Sequence, residues 1–231
     1  MRPWVFPLLL LALLEAAARW LVPGSDALAP PSQALQAFGK ALSASGDESV
    51  LQATAFTLSS AALGLLLGAA LGVTLGLVLG LSRRAAAMGF LSIEVLRPVP
   101  SVALIPLAML VFGFGYRMEI SVVAFATFWP LLILTQAAAR QVEPQLLEVA
   151  HALGLSAWAR TTQIVLPAMV PRLFIALRLG VSFALVVAVT VEIAANPSGM
   201  GYAMMIAQQS LAPDLMLAWL AWIGVVGFAI N

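Results

Sequence analysis

The chain contains no cysteine and a single histidine, His151. Without cysteine it can hold no disulfide framework, no thiol nucleophile and no thiolate metal site. One histidine excludes a multi-histidine metal centre. Charge is also scarce. Lys and Arg number 11 and Asp and Glu 10, so charged residues make up 9% of the chain and the net charge is +1. That balance supplies no field for nucleic acid. Soluble domains carry about 25% charged residues. Here 62% of the 231 residues are hydrophobic and the mean hydropathy is +1.04. Too little polar surface remains to cover a globule in water, and a polytopic membrane protein is the class left. Each spanning helix needs roughly 20 apolar residues, so an all-α chain of about six spans is expected, as one transmembrane domain over 1–231.

The first apolar stretch runs from Trp4 to about Val22, with Glu15 and Arg19 placed to pair on one helix face. A retained first span is expected, a signal peptide being the alternative. Residues 23–48 hold Pro23, Gly24, Pro30, Pro31 and a Gly-Asp-Glu run. They are expected to form an external loop with a short helix over 32–44, capped by Ser32. The core spans then fill 50–231. Val50–Leu81 is a long apolar helix in which Gly64, Gly68, Gly72, Gly76 and Gly80 recur every four residues. In lipid such a stripe lets another backbone approach closely.

The stretch 85–115 is broken at Arg97-Pro98-Val99-Pro100. Each proline removes an internal hydrogen bond, and irregular backbone at membrane depth needs protein or a cavity around it. Glu94 and Arg97 stand three apart and can pair. Further spans are expected at 119–139, 173–195 and 211–231. The fifth carries Arg178 and Glu192, and a turn over 196–202 precedes the last. Arg97, Pro98, Pro100, Arg178 and Glu192 are the candidates for a translocation pathway or gate, because ionisable residues within spans mark function. Glu192 either gates the outer mouth or bonds to nearby backbone. With the N-terminus inside, Arg2, Arg83, Arg84, Arg140, Arg160 and Arg172 fall on the inner side and Arg19, Lys40 and Arg117 on the outer. The positive-inside bias favours that orientation and puts residues 140–172 in the cytoplasm.

Within that segment Leu146, Val149, Ala150 and Leu153 repeat at helical spacing. Gly154 fits a helix stop, and Ser156 can cap a second short helix. A short amphipathic helix outside the bilayer needs something to cover its apolar face. Its few basic residues argue against a lipid surface, so a protein partner is expected.

The segment Glu148, Val149, Ala150, Gly154, Ile164, Leu166, Pro167 resembles, spacing for spacing, the cytoplasmic loop of importer permeases of the ATP-binding-cassette class. Val149 replaces the first Ala of the family's Glu-Ala-Ala pattern. Leu96–Pro106, Pro30-Pro31-Ser32, Gly80–Arg84, Glu192 and Ser198-Gly-Met-Gly-Tyr202 are similar to the nitrate/sulfonate/taurine branch, a likeness over essentially the whole chain. Two departures stand out. Ser59 and Ser60 lie about where the branch often carries an Arg. The chain stops at Asn231, where relatives continue into a short basic tail, so a truncated chain and a short last helix are both open.

The resemblance implies a type I importer permease in a bacterial inner membrane, multi-pass, with its N-terminus cytoplasmic. It implies several partners: cytoplasmic ATPase subunits, an external solute-binding protein, and a second permease subunit, a homodimer being expected, all within membrane lipid. It also implies coupling to the ATPase through Glu148, Val149, Ala150, Leu153, Gly154, Ile164, Leu166 and Pro167, with Ala150 approaching a groove on that partner. No Gly-rich phosphate loop with its Lys is present. ATP and Mg therefore belong to the partner, and this chain is expected to need no cofactor and to catalyse nothing itself. Arg97 and Arg178 are placed to offset an anion such as a sulfonate or nitrate. A stand-alone secondary transporter or channel is the alternative. It accounts for the broken span but not for the spaced 148–167 pattern. An intramembrane enzyme lacks any paired catalytic constellation.

Overall fold

A computed structural model of the chain describes residues 5–20, 29–43 and 49–231. The readings made of Arg2, Pro23, Gly24 and the Gly46–Glu48 run lie outside the described residues. The described residues are all-α, and eleven α-helices form in chain order. They are α1 (Val5–Trp20), α2 (Pro31–Ser43), α3 (Val50–Leu81), α4 (Arg83–Leu96), α5 (Ile105–Phe112), α6 (Tyr116–Arg140), α7 (Pro144–Ala152), α8 (Ala157–Arg160), α9 (Leu166–Ala194), α10 (Met200–Gln209) and α11 (Pro213–Ile230). A 3-10 turn over Ser101–Leu104 leads into α5, and a π-helical turn over Thr161–Val165 leads into α9.

Among the described residues four stretches are long and apolar enough to cross a membrane: Val50–Leu81, Tyr116–Arg140, Ala157–Ala194 and Pro213–Ile230. The pair Arg83–Leu96 and Ser101–Phe112, bent by 81°, counts as a fifth if it is one span. α1 is apolar but has 16 residues. Two compact units are formed. One comprises the described residues up to Ser59 with Val189–Ile230, the other Ser60–Ala188 with Asn231.

In the second unit the glycine stripe decides the packing. A Cβ on Gly72 would lie 2.7 Å from the Phe128 carbonyl oxygen, and one on Gly76 would lie 2.5 Å from that of Leu132. A Cβ on Gly64 or Gly80 would lie 3.1 Å from the Ile120 or Gln136 carbonyl oxygen, and one on Gly68 would meet Ala124 and Thr127. Glycines four apart thus face carbonyls four apart, in the same chain direction. α3 and α6 are therefore parallel neighbours in backbone contact, as small residues allow in lipid. Parallel neighbours require the chain between them to return across the membrane, so the bent α4–α5 pair carries a crossing.

α9 runs back along α6. Val165 and Met169 pack with Ala138, Ala139 and Val142 in a buried cluster. Further along, Gly180 meets Leu65 and Leu131. Arg83, Arg84, Arg140, Arg160 and Arg172 consequently gather at one end of this unit, and Arg117 stands at the other.

In the first unit α2 packs along α11. Phe38 and Trp222 have ring centroids 5.1 Å apart, and the Trp222 indole N–H donates to Thr54 Oγ1 at 2.9 Å. The Glu15–Arg19 pair forms at 2.6 Å. The expected Ser32 cap is corrected: α2 starts one residue earlier, at Pro31. The Ser32 amide and hydroxyl instead donate to the two Glu15 carboxylate oxygens at 3.0 and 2.7 Å. A carboxylate from α1 takes over the capping role because it can reach two first-turn donors at once.

Candidate functional site

The segment after α6 folds as helix, glycine turn, helix. Pro144 opens α7, where a missing N–H costs nothing. Leu153 closes it, and Gly154 takes φ +63°, with its Cβ position in open space. The Gly154 amide donates to the His151 carbonyl and the Leu155 amide to that of Ala150, both at 3.0 Å. These two bonds make a Schellman stop. Ser156 then accepts the Ala159 amide at 3.2 Å and starts α8. A π-turn containing Ile164 joins α8 to α9, which begins at Leu166-Pro167.

The faces of α7 divide sharply. Ala150 is 1% exposed, and Leu147 packs against the Ala138–Met169 cluster. Val149, Leu153 and Trp158 are 52%, 68% and 77% exposed, and Leu146 and Glu148 are also exposed. The expectation that Ala150 approaches a partner is corrected. Its small side chain lets α7 lie close on its own protein, and the residues around it form the outer surface. At the base of the segment the Arg172 guanidinium donates to the Gln141 carbonyl at 3.2 Å.

The other candidates do not gather with this segment. Arg97 ends α4 with Glu94 at 4.0 Å, both about half exposed. Pro98 and Pro100 follow it in the bend, where the Val99 amide donates to the Leu96 carbonyl at 3.2 Å. Arg178 lies exposed on α9, with its Nε donating to Asn231 Oδ1 at 3.3 Å.

Glu192 is fully buried in the first unit. Its Oε1 accepts the Thr57 hydroxyl at 2.6 Å, and its Oε2 accepts the Gly201 amide at 2.8 Å. Thr57 Oγ1 in turn accepts the Met200 amide at 3.0 Å. The first two amides of α10 are thus held by a carboxylate and a hydroxyl, where the helix dipole favours negative charge. The glycines around them are required. Gly199 has φ +93°, and a Cβ there would fall on the Glu192 carboxylate. A Cβ on Gly201 would fall on the Val189 carbonyl. The expected turn over 196–202 is shorter than predicted, because Met200 to Tyr202 are already helical.

α10 forms one wall of a cavity of about 840 Å³ in the same unit, lined among others by Lys40, Gln52, Tyr202, Asp214 and Trp219. Gln52 and Phe56 place it beside the first turns of α3.

One buried carboxylate escaped sequence reasoning. Glu119, fully buried in the second unit, accepts a hydrogen bond from the Ser60 hydroxyl. The available signal was an acid in the first turn of an apolar span, two residues after Arg117.

These features can be set beside known proteins. A family model described as "Binding-protein-dependent transport system inner membrane component" matches residues 64–230. The chain belongs to that family. It is 34% identical over 227 residues to the SsuC protein of Escherichia coli, named for aliphatic sulfonates transport, covering 97% of this chain and 84% of that one. The protein of the same name in Bacillus subtilis is 32% identical over 72% of this chain, and the match spans 60% of that protein. The E. coli taurine transport system permease protein TauC is 29% identical over 88% of this chain and 75% of its own length.

Among solved structures, inward-facing MetNI methionine ABC transporter coordinates superpose with a TM-score of 0.65 at 16% identity, over 75% of this chain and 87% of that one. An amino acid ABC transporter with histidines gives 0.63 at 16%, over 86% and 91%. They share the fold. The chain is accordingly an ABC importer permease, a transport component and a multi-pass inner-membrane protein.

Proposed function

We propose that this permease works in an ATP-driven importer, docks a cytoplasmic ATPase through the 143–167 segment, and receives its solute from an external binding protein. The observation that carries this reading is the division of α7. The helix is fixed to its own protein through Leu147 and Ala150, while Leu146, Val149 and Leu153, with Trp158 beyond the turn, stay uncovered. Apolar surface of that kind marks an interaction site. Glu148 gives the surface a polar edge, and the Gly154 turn holds its two arms at a set angle. Ile164, Leu166 and Pro167 lead from the segment into α9, so a push on the segment moves the start of that span.

The arginine-rich end of the second unit is the cytoplasmic one, by the positive-inside bias. This orientation puts the N-terminus inside. The binding protein delivers solute from the opposite, outer side. A second permease subunit, as a homodimer, completes the passage, and ATP and Mg are held by the ATPase partner. The names of the sulfonate and taurine relatives favour a small organic anion as solute.

Affinity purification of the tagged chain from its host in mild detergent tests the reading. A stoichiometric ATPase subunit, identified by mass spectrometry, is expected. A chain that purifies alone at natural expression, with the segment intact, overturns it in favour of a stand-alone transporter.

A further inference from the structure

The cavity of about 840 Å³ lies between α2, the first turns of α3, α10 and the start of α11. Small-molecule sites span about 300–1,000 Å³. The space exists because three of its walls offer short side chains, Ala41, Ala53 and Ala203 among them.

Two groups in the wall lack partners among the described residues. Trp219 is 3% exposed. Its neighbour Trp222 donates the indole N–H to Thr54. The Trp219 N–H has no such acceptor and is not sealed by protein, so it opens on the cavity. Asp214, in the first turn of α11, accepts the Leu215 amide on Oδ1 at 2.8 Å. Its Oδ2 has no partner, and no Lys or Arg pairs with it. Lys40 adds an ammonium to the same wall, and Phe56 and Tyr202 add rings, whose faces attract ammonium groups. An open donor and a cation together with an open carboxylate recognise opposite charges in one molecule. A simple anion would face Asp214 with its like charge, and a simple cation would leave Trp219 without an acceptor.

We propose that this cavity binds a compact zwitterion, its ammonium on Asp214 and its anionic group on Trp219 and Lys40. Two sources carry that chemistry: a free amino acid or amino sulfonate, and the ethanolamine headgroup of a phospholipid. The site belongs to this chain and needs no ATPase to be occupied, so it is tested apart from the docking segment.

The chain has no natural cysteine, so Ala203→Cys in the cavity wall is a single reporter in the full chain held in nanodiscs. A neutral thiosulfonate measures its rate of modification. In phosphatidylglycerol nanodiscs, 3-aminopropanesulfonate at about ten times its Kd should slow the reaction roughly ten-fold. Propanesulfonate and propylamine, which each lack one charge, should slow it far less at the same concentration. Asp214→Asn keeps an acceptor for the Leu215 amide, and should raise the Kd of the zwitterion roughly ten-fold by removing a charge-assisted hydrogen bond. If the lipid is the source, phosphatidylethanolamine nanodiscs slow the reaction with nothing added, and Asp214→Asn restores the rate. If a free solute is the source, the two lipids give one rate. Either result supports the site. Ser210→Cys on the same wall serves if Ala203→Cys does not fold, and Leu153→Cys on α7 should be unaffected throughout. Thiols at 203 and 210 that never react, no slowing by the zwitterion or the lipid, equal slowing by propanesulfonate, or slowing that survives Asp214→Asn overturns the proposal.

Discussion

The Glu192 carboxylate and the Gly201 amide meet at 2.8 Å in a fully buried site, so the end of α9 is hydrogen-bonded to the start of α10. Thr57 completes the clasp by donating to Glu192 and accepting from Met200. Glu192→Ala leaves the buried Gly201 amide without its acceptor, at about 1–3 kcal/mol, while the Thr57 hydroxyl falls back on the Ala53 carbonyl at 3.1 Å. A clear fall in the thermal midpoint of the detergent-solubilised protein is expected, with Glu192→Gln intermediate because one acceptor oxygen remains. Equal midpoints for wild type and Glu192→Ala would show that the clasp contributes nothing.

The glycine stripe predicts a graded response to a single added side chain. Gly72→Val drives methyl groups into the Phe128 carbonyl and must part α3 from α6, at about 3 kcal/mol. Gly224 on α11 has nothing within 4 Å of its Cβ position, so Gly224→Val should be tolerated. Protease resistance of the inserted protein checks both, and a Gly72→Val protein as resistant as Gly224→Val would contradict the close helix contact.

Much of this was legible locally. The ends of α3 follow from an unbroken apolar run, and the stop at Gly154 and start at Ser156 follow from turn and cap chemistry within a few residues. What was missed depends on partners distant in sequence. Ser32 has the chemistry of a cap, but Glu15, seventeen residues away, decides where α2 begins. Gly199 and Gly201 look like turn residues, and a helix starts between them because Glu192 and Thr57 hold its amides. Ala150 belongs to the same apolar repeat as Val149, and only the tertiary packing of α7 shows which of the two faces outward. Glu119 gives no periodic signal, and its hydroxyl partner on α3 is visible only in three dimensions.

At Gly154 the constraint is the backbone alone, since φ is +63° and the Cβ position is open. Gly154→Ala should cost about 1–2 kcal/mol of local order, and Gly154→Val more. Gly154→Asn should cost less, because Asn tolerates this region better. Amide hydrogen exchange over 144–165 should rise in the order Asn, Ala, Val. Solute uptake should fall in the same order, while membrane insertion stays normal. Uptake unchanged in the Val variant would sink the role given to the turn.

Orientation is open to a labelling test. Single cysteines at Leu153 and Phe114, both well exposed, stand at opposite ends of the second unit. An impermeant maleimide should reach 153 only from the cytoplasmic face and 114 only from outside. The reverse pattern would invert the topology and remove the segment from any cytoplasmic partner.

The central claim is that the outer face of α7 is covered by an ATPase, and photo-crosslinking tests it most directly. A photoreactive residue is placed at Leu153, with a second version at Leu110 on α5, in cells expressing the transporter at natural levels. Leu153 should give one dominant adduct, the mass of this chain plus one ATPase subunit, lost on Val149→Asp, and Leu110 should give none. Lipid adducts alone at Leu153, or the same adducts at both positions, would contradict the account.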